Sequence, residues 1–323
     1  GTNNVTLSNV ETVTASSGAD TVTLGTGVSG GVINLAAGTD ILVLANATNN
    51  LTVTGVETIT GGTGADTITL DGAVSGGVID LGAGSDTLVL DSGINAFTVS
   101  NVESIVGNAG ADTLTLGTVV TAGTIDLAGG VDKLQLANGA NNVTLSNIET
   151  VLGESGADTV TLSAAVNGIR VELGAGTDTL VLANGINALT VLGTETVVGG
   201  TGNDNVTLGD AVTSGNYSLG AGVDTLVLAS GTNSLTLDAS IETLISGTGD
   251  DTITLSAAVS GGNYNLGVGS DALVLANGTN NLTVSNIETV TGHSGADTVT
   301  LATVLSGGVV NLGAGVDKLV MAA

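Results

Sequence analysis

Short runs in which hydroxyl-bearing and aliphatic residues alternate recur from one end of the chain to the other. Thr67-Ile68-Thr69-Leu70 is one of them. Alternation of this kind puts Ile68 and Leu70 on one face of a β-strand and both threonines on the other. Between Asn50 and Leu90 there are five β-prone runs: 50–53, 56–59, 67–70, 77–81 and 87–90. Gly, Asn, Asp, Ser and Thr separate them, which is turn chemistry, and nothing shows a helical period. Strands this short, spaced this regularly, predict an all-β, right-handed parallel β-solenoid rather than a sandwich.

The same pattern is an internal repeat. Segments beginning at Gly1, Ala47, Gly93, Gly139, Gly185, Gly231 and Gly278 align along their whole length, in five steps of 46 residues and one of 47. The extra residue falls in the sixth module, at Asp238-Ala239-Ser240-Ile241-Glu242. The predicted organisation is one repeat solenoid of seven modules: 1–46, 47–92, 93–138, 139–184, 185–230, 231–277 and 278–323. Neither end departs from the module, although solenoids use atypical terminal repeats as caps. The expectation is therefore an excerpt of a longer polypeptide. Two Gly-x-Asp turns per module, such as Gly64-Ala65-Asp66 and Gly84-Ser85-Asp86, stand 20 residues apart, and 26 residues separate Asp86 from Asp112. If both turns share one edge, each module makes two coils.

Composition narrows the picture. With 52 glycines, no proline, no cysteine, one Phe and two Tyr, the chain suits a narrow aliphatic core. Thirty acidic residues against three basic ones give a net charge of −27. That excludes nucleic acid as a partner. No apolar run approaches the roughly 20 residues of a membrane span, which argues against membrane insertion. Without cysteine there is neither a disulfide nor a thiolate metal site.

Two aspartate columns concentrate the charge. One is Asp20, Asp66, Asp112, Asp158, Asp204, Asp251 and Asp297; the other is Asp40, Asp86, Asp132, Asp178, Asp224, Asp271 and Asp317. Each follows a glycine by two positions and opens a strand. A lone aspartate here is an ordinary turn cap. Fourteen of them stacked about 4.8 Å apart would repel through every coil. Calcium, a hard cation taking six to eight oxygen ligands, removes that conflict, so all fourteen are candidate calcium ligands on one edge.

The stretches Gly61-Gly62-Thr63-Gly64-Ala65-Asp66-Thr67-Ile68-Thr69 and Gly199-Gly200-Thr201-Gly202-Asn203-Asp204-Asn205-Val206-Thr207 match the pattern G-G-x-G-x-D-x-U-x. In this they resemble the repeats-in-toxin (RTX) family of calcium-binding nonapeptides. The resemblance implies a parallel β-roll in which aspartates and turn carbonyls hold Ca²⁺ between stacked turns. It also implies a secreted protein that folds outside the cell. The spacing departs from the family, whose turns recur every nine residues on alternating sides.

Further columns carry less chemistry. An Asn column (Asn3, Asn49, Asn95, Asn141, Asn187, Asn233, Asn280) reads as an amide ladder along the axis. A Glu column (Glu11, Glu57, Glu103, Glu149, Glu195, Glu242, Glu288) has three readings: a solvated face, an acceptor for turn N–H groups, or a second calcium site. Val43, Val89, Val181, Val227, Val274 and Val320 should face outward as an apolar stripe, suited to self-association with other solenoids. His293 is the only histidine, and no Ser/His/Asp set or nucleotide loop accompanies it, so no enzyme is expected. The function predicted is an extracellular, calcium-stabilised structural repeat region of a bacterial adhesin, surface-layer protein or filament. The rivals are an ice-binding solenoid, from the Thr-x-Thr pairs, and the repeat region of a secreted toxin or enzyme.

Overall fold

The structure is a computed structural model that describes residues 1–322; the last residue of the seventh module lies outside the described residues. It is an all-β parallel solenoid. The chain divides into two compact units, Gly1–Thr161 and Leu162–Ala323.

In the first unit, successive strands join two sheets in turn. Asn4–Leu7, Thr21–Leu24, Ile41–Val43, Thr58–Thr63 and Ser75–Ala83 pair in parallel in one sheet. Thr12–Thr14, Ser29–Asn34, Asn50–Thr54, Thr67–Leu70 and Thr87–Val89 pair in parallel in the other. One strand from each sheet makes a coil. The second unit is built the same way, with Ala188–Leu192, Asn205–Leu208, Thr225–Val227 and Thr243–Ile245 in one sheet and Thr196–Val198, Asn216–Ser218 and Ser234–Leu237 in the other.

The β-branched and aliphatic residues that favour strands also set the register. Leu51 pairs with Ile68, Ile68 with Leu88, Leu88 with Ile105 and Ile105 with Ile125, all buried. The second unit runs Leu189, Val206, Leu226, Leu244, Tyr264 and Val284 in one such row. Each fully buried aliphatic stabilises the fold by about 1.5–3 kcal/mol relative to exposure.

Coil length differs from the expectation. Thr23 pairs with Val43, 20 residues on, and Val43 with Thr60, 17 residues on. A module of five strands therefore makes two and a half coils rather than two, and two modules make five. The cause is that the Glu57 and Val74 positions also turn corners, although neither carries a Gly-x-Asp signal.

An odd number of strands per module has a second effect. Equivalent strands of consecutive modules alternate between the sheets, so Asn4–Leu7 lies in one and Asn50–Thr54 in the other. The outward valine stripe consequently does not form. Val43 lies between Thr23 and Thr60, and Val274 between Thr254 and Thr291, each half-buried. The Thr-x-Thr faces are interrupted likewise, by Ile41 beside Thr21 and Val89 beside Thr69.

All three aromatic residues point inward. Tyr217 and Tyr264 are fully buried, and their hydroxyls donate to the Thr194 and Ile241 carbonyls at 2.8 and 2.9 Å. Gly215 and Gly262, two residues earlier, make the room: a Cβ at either would press on the ring.

Candidate metal centre

The turn residues form hydrogen-bonded ladders that climb from coil to coil. The Val28 N–H donates to Asn49 Oδ1 at 3.3 Å, and the Asn49 N–H to Asp66 Oδ1 at 2.8 Å. Asp66 N–H donates to Asp86 Oδ1 at 2.7 Å, and Asp86 N–H to Glu103 Oε2 at 2.9 Å. Each side chain thus reaches back to satisfy the corner amide of the coil before it. The first unit repeats the series in Asn3-Asp20-Asp40-Glu57 and Asn95-Asp112-Asp132-Glu149. The second repeats it in Asn187-Asp204-Asp224-Glu242 and Asn233-Asp251-Asp271-Glu288, and begins it again in Asn280-Asp297-Asp317. Asn141 donates to Asp158 Oδ1, and Asp178 to Glu195 Oε2, in the same manner.

This arrangement revises the single edge of fourteen aspartates. In the first unit Asp20, Asp40, Asp112 and Asp132 stand at one edge and Asp66 and Asp86 at the other, because consecutive modules face opposite ways. Within each unit the ladders pair their aspartates between an asparagine and a glutamate, except that no glutamate follows Asp297 and Asp317. The asparagines do not stack on one another. Of the three readings of the glutamates, the structure shows acceptance of turn N–H groups, with Glu57, Glu149 and Glu288 taking the Asp40, Asp132 and Asp271 amides at 2.9, 2.7 and 2.9 Å.

Comparing the asparagine rung with the aspartate rungs shows what the latter lack. Asn49 accepts with Oδ1, and its NH₂ donates to the Ala45 and Ala47 carbonyls at 3.2 and 2.7 Å and to Asp66 Oδ1 at 2.9 Å. That nitrogen is held by three oxygens. Asp66 accepts with Oδ1 in the same way, which leaves Oδ2 where asparagine carries its NH₂. This oxygen is buried and has no donor, as it has in Asp20, Asp40, Asp86, Asp112, Asp132, Asp204, Asp224, Asp271 and Asp297. An orphaned, buried carboxylate oxygen costs at least about 1–3 kcal/mol, and more when charged.

The glycines before each aspartate supply backbone carbonyls in the same turn. Gly62 and Gly64 stand four and two residues before Asp66, as Ala45 and Ala47 do before Asn49. Their carbonyls press against the next coil, where a Cβ on Gly82 would collide with Gly62 O and one on Gly84 with Gly64 O. Gly64 and Gly82 also hold φ of 125° and 84°, which only glycine adopts without strain. No cluster of three or more His, Cys, Asp or Glu side chains occurs among the described residues, so any metal here is held by carbonyls together with carboxylates. Hard oxygen donors with one acid per turn fit calcium and suit neither zinc nor a redox metal.

Electrostatics agrees. Burial, reinforced by the neighbouring charges of Asp66 and Glu103, pushes Asp86 above the usual carboxylate range against the opposing effect of the Asp66 N–H bond. Asp132 is raised in the same way. Asp224 and Asp271, buried beside Asp204 and Glu242 and beside Asp251 and Glu288, are pushed up to about 6. The fold asks these carboxylates for a counter-charge and offers only a proton.

Parts of the chain match the RTX calcium-binding nonapeptide repeat. The family model for that repeat matches in four copies, within residues 52–72, 100–118 and 191–211. These segments hold the turns ending at Asp66, Asp112 and Asp204, the first member of each pair. No curated protein matches the chain. Both aspartate columns were singled out from the sequence, whereas the backbone amides that hold each Oδ1 were not. The isosteric Asn/Asp exchange at equivalent turns was the available signal.

Proposed function

We propose that this chain is a non-catalytic, extracellular structural repeat region whose rigidity is supplied by calcium. The seven modules act as one repeat array of a bacterial adhesin, surface-layer protein or secreted filament. All fourteen aspartates, Asp317 included, belong to turns of the calcium-holding type, and where Oδ2 lacks a donor Ca²⁺ takes the place that NH₂ takes at asparagine. When bound, the ion supplies positive charge and coordination to oxygens that otherwise face one another. The residues' own part is to fix Oδ1 on a backbone amide and to leave Oδ2 buried without a donor. The observation that carries this reading is the donorless, buried Oδ2 repeated along the ladders. A net charge of −27 adds to it, because a compact state with so few cations repels itself.

Far-UV circular dichroism in EGTA and then in excess calcium tests the proposal. The β-signal should rise steeply as calcium is added, since binding is linked to folding. A full signal in EGTA that calcium neither changes nor protects from heat would refute it.

A further inference from the structure

One aspartate of the first column is not orphaned. The Ser246 hydroxyl donates to Asp251 Oδ2, and both residues are buried. Ser246 occupies the place that opens each first-column turn, held by Gly61, Gly107, Gly153, Gly199 and Gly292 in other modules and by Ala15 in the first. Neither glycine nor alanine has a side-chain donor to offer. At Ala15 the paired aspartate, Asp20, keeps a donorless Oδ2 despite the extra Cβ. The hydroxyl, and not the added carbon, makes the difference.

The rest of that turn is unchanged. Asp251 Oδ1 accepts the Asn233 N–H at 2.8 Å, and the Asp251 N–H donates to Asp271 Oδ1 at 2.8 Å. Gly247 and Gly249 direct their carbonyls at the next coil, where a Cβ on Gly267 or Gly269 would collide with them. The frame of a cation site is present, but its carboxylate oxygen is already engaged by a neutral donor of the protein's own.

We propose that Ser246 is an internal substitute for calcium, so that the Asp251 turn stays closed without metal while equivalent turns require it. The inference rests on the calcium reading given above. It makes the sixth module a fixed point from which ordering spreads to metal-dependent neighbours as calcium is added. The insertion in the same module is knitted by similar means. Ser218 donates to Asp238 Oδ2 at 2.6 Å, Ser240 donates to Asp238 Oδ1, and Leu219 N–H donates to Ser240 Oγ at 2.8 Å.

Native mass spectrometry of the full chain in saturating calcium, with Ser246→Ala and Ser246→Thr compared against the unaltered protein, decides the matter. Ser246→Ala should bind one more calcium per chain, because it recreates the Ala15 situation, which the fold already tolerates. Ser246→Thr keeps the hydroxyl and should bind the original number. Equal counts for Ser246→Ala and the unaltered chain would overturn this inference alone. An unaltered chain that binds no calcium would overturn the parent reading and this inference with it.

Discussion

At the scale of the residue, asparagine and aspartate differ by one group, and each ladder sets the two in adjacent coils. Asn49 brings its own donors to a ring of oxygens, whereas Asp66 and Asp86 bring another oxygen. Asp86→Asn should therefore lower the calcium count by one and strengthen the calcium-free fold, read as a higher urea midpoint in EGTA. Asp86→Ala should weaken both states by about 1–3 kcal/mol, because the buried Asp66 N–H loses its acceptor. A calcium-free midpoint for Asp86→Asn below that of the unaltered chain would remove Oδ2 from the argument.

Acidity tests the same oxygens. Asp224 and Asp271 are pushed from an ordinary value of 3.8 to about 6, so the folded state holds their protons more tightly than the unfolded chain does. Stability from this source is fully present below about pH 4 and is lost as pH rises through about 6. In calcium-free buffer the urea midpoint should accordingly be higher near about pH 4.5 than near about pH 7.5. With calcium present the order should reverse, since protons compete with the metal for the same carboxylates. A calcium-free midpoint that falls on acidification would contradict the burial of these groups.

At the scale of the element, each short strand is held by one or two inward aliphatics stacked on those of the coils beside it. Leu88 is buried between Ile68 and Ile105, while its neighbour Val89 is half-buried on the outer face. Leu88→Ala should cost about 2–5 kcal/mol, and Val89→Ala about 1 kcal/mol or less, measured by urea unfolding in calcium. A larger cost for Val89→Ala would mean that the strand's faces are assigned the wrong way round. This level was the most legible in the amino-acid sequence, because alternation of Thr with Ile or Leu is a period-two signal that no helix imitates. Thr67–Leu70 forms as the pattern predicts, and Ser75–Ala83 and Thr87–Val89 differ from their predicted runs only at the ends. The corners were less legible. Gly-x-Asp announces a turn, but Glu57 and Val74 sit at corners whose local residues resemble strand. Counting only the announced turns gave two coils instead of two and a half. The aspartate columns were legible as a candidate site, whereas the backbone amides they engage carry no letter of their own.

At the scale of the whole molecule, thirty acids and three bases cannot be reconciled by internal pairing, and Arg170 with Glu172, 2.7 Å apart, is an exposed ion pair of little energetic weight. External cations must supply the balance, and the donor set selects among them. Calcium tolerates a mixed shell of carbonyls and carboxylates, whereas magnesium demands near-ideal octahedral geometry and gives up water reluctantly. Magnesium at equal concentration should recover much less β-signal than calcium. Equal recovery by sodium chloride at matched ionic strength would reduce the site to simple screening.

Five strands to a module make copy number a setting of direction. Adding one module within a unit turns whatever follows it half a revolution about the axis. Adding two restores the original heading, about 24 Å further along at one coil spacing of ~4.8 Å for each of five coils. Duplications of this sequence therefore fall into two kinds: odd ones reverse the side on which a following segment is presented, and even ones only lengthen its reach.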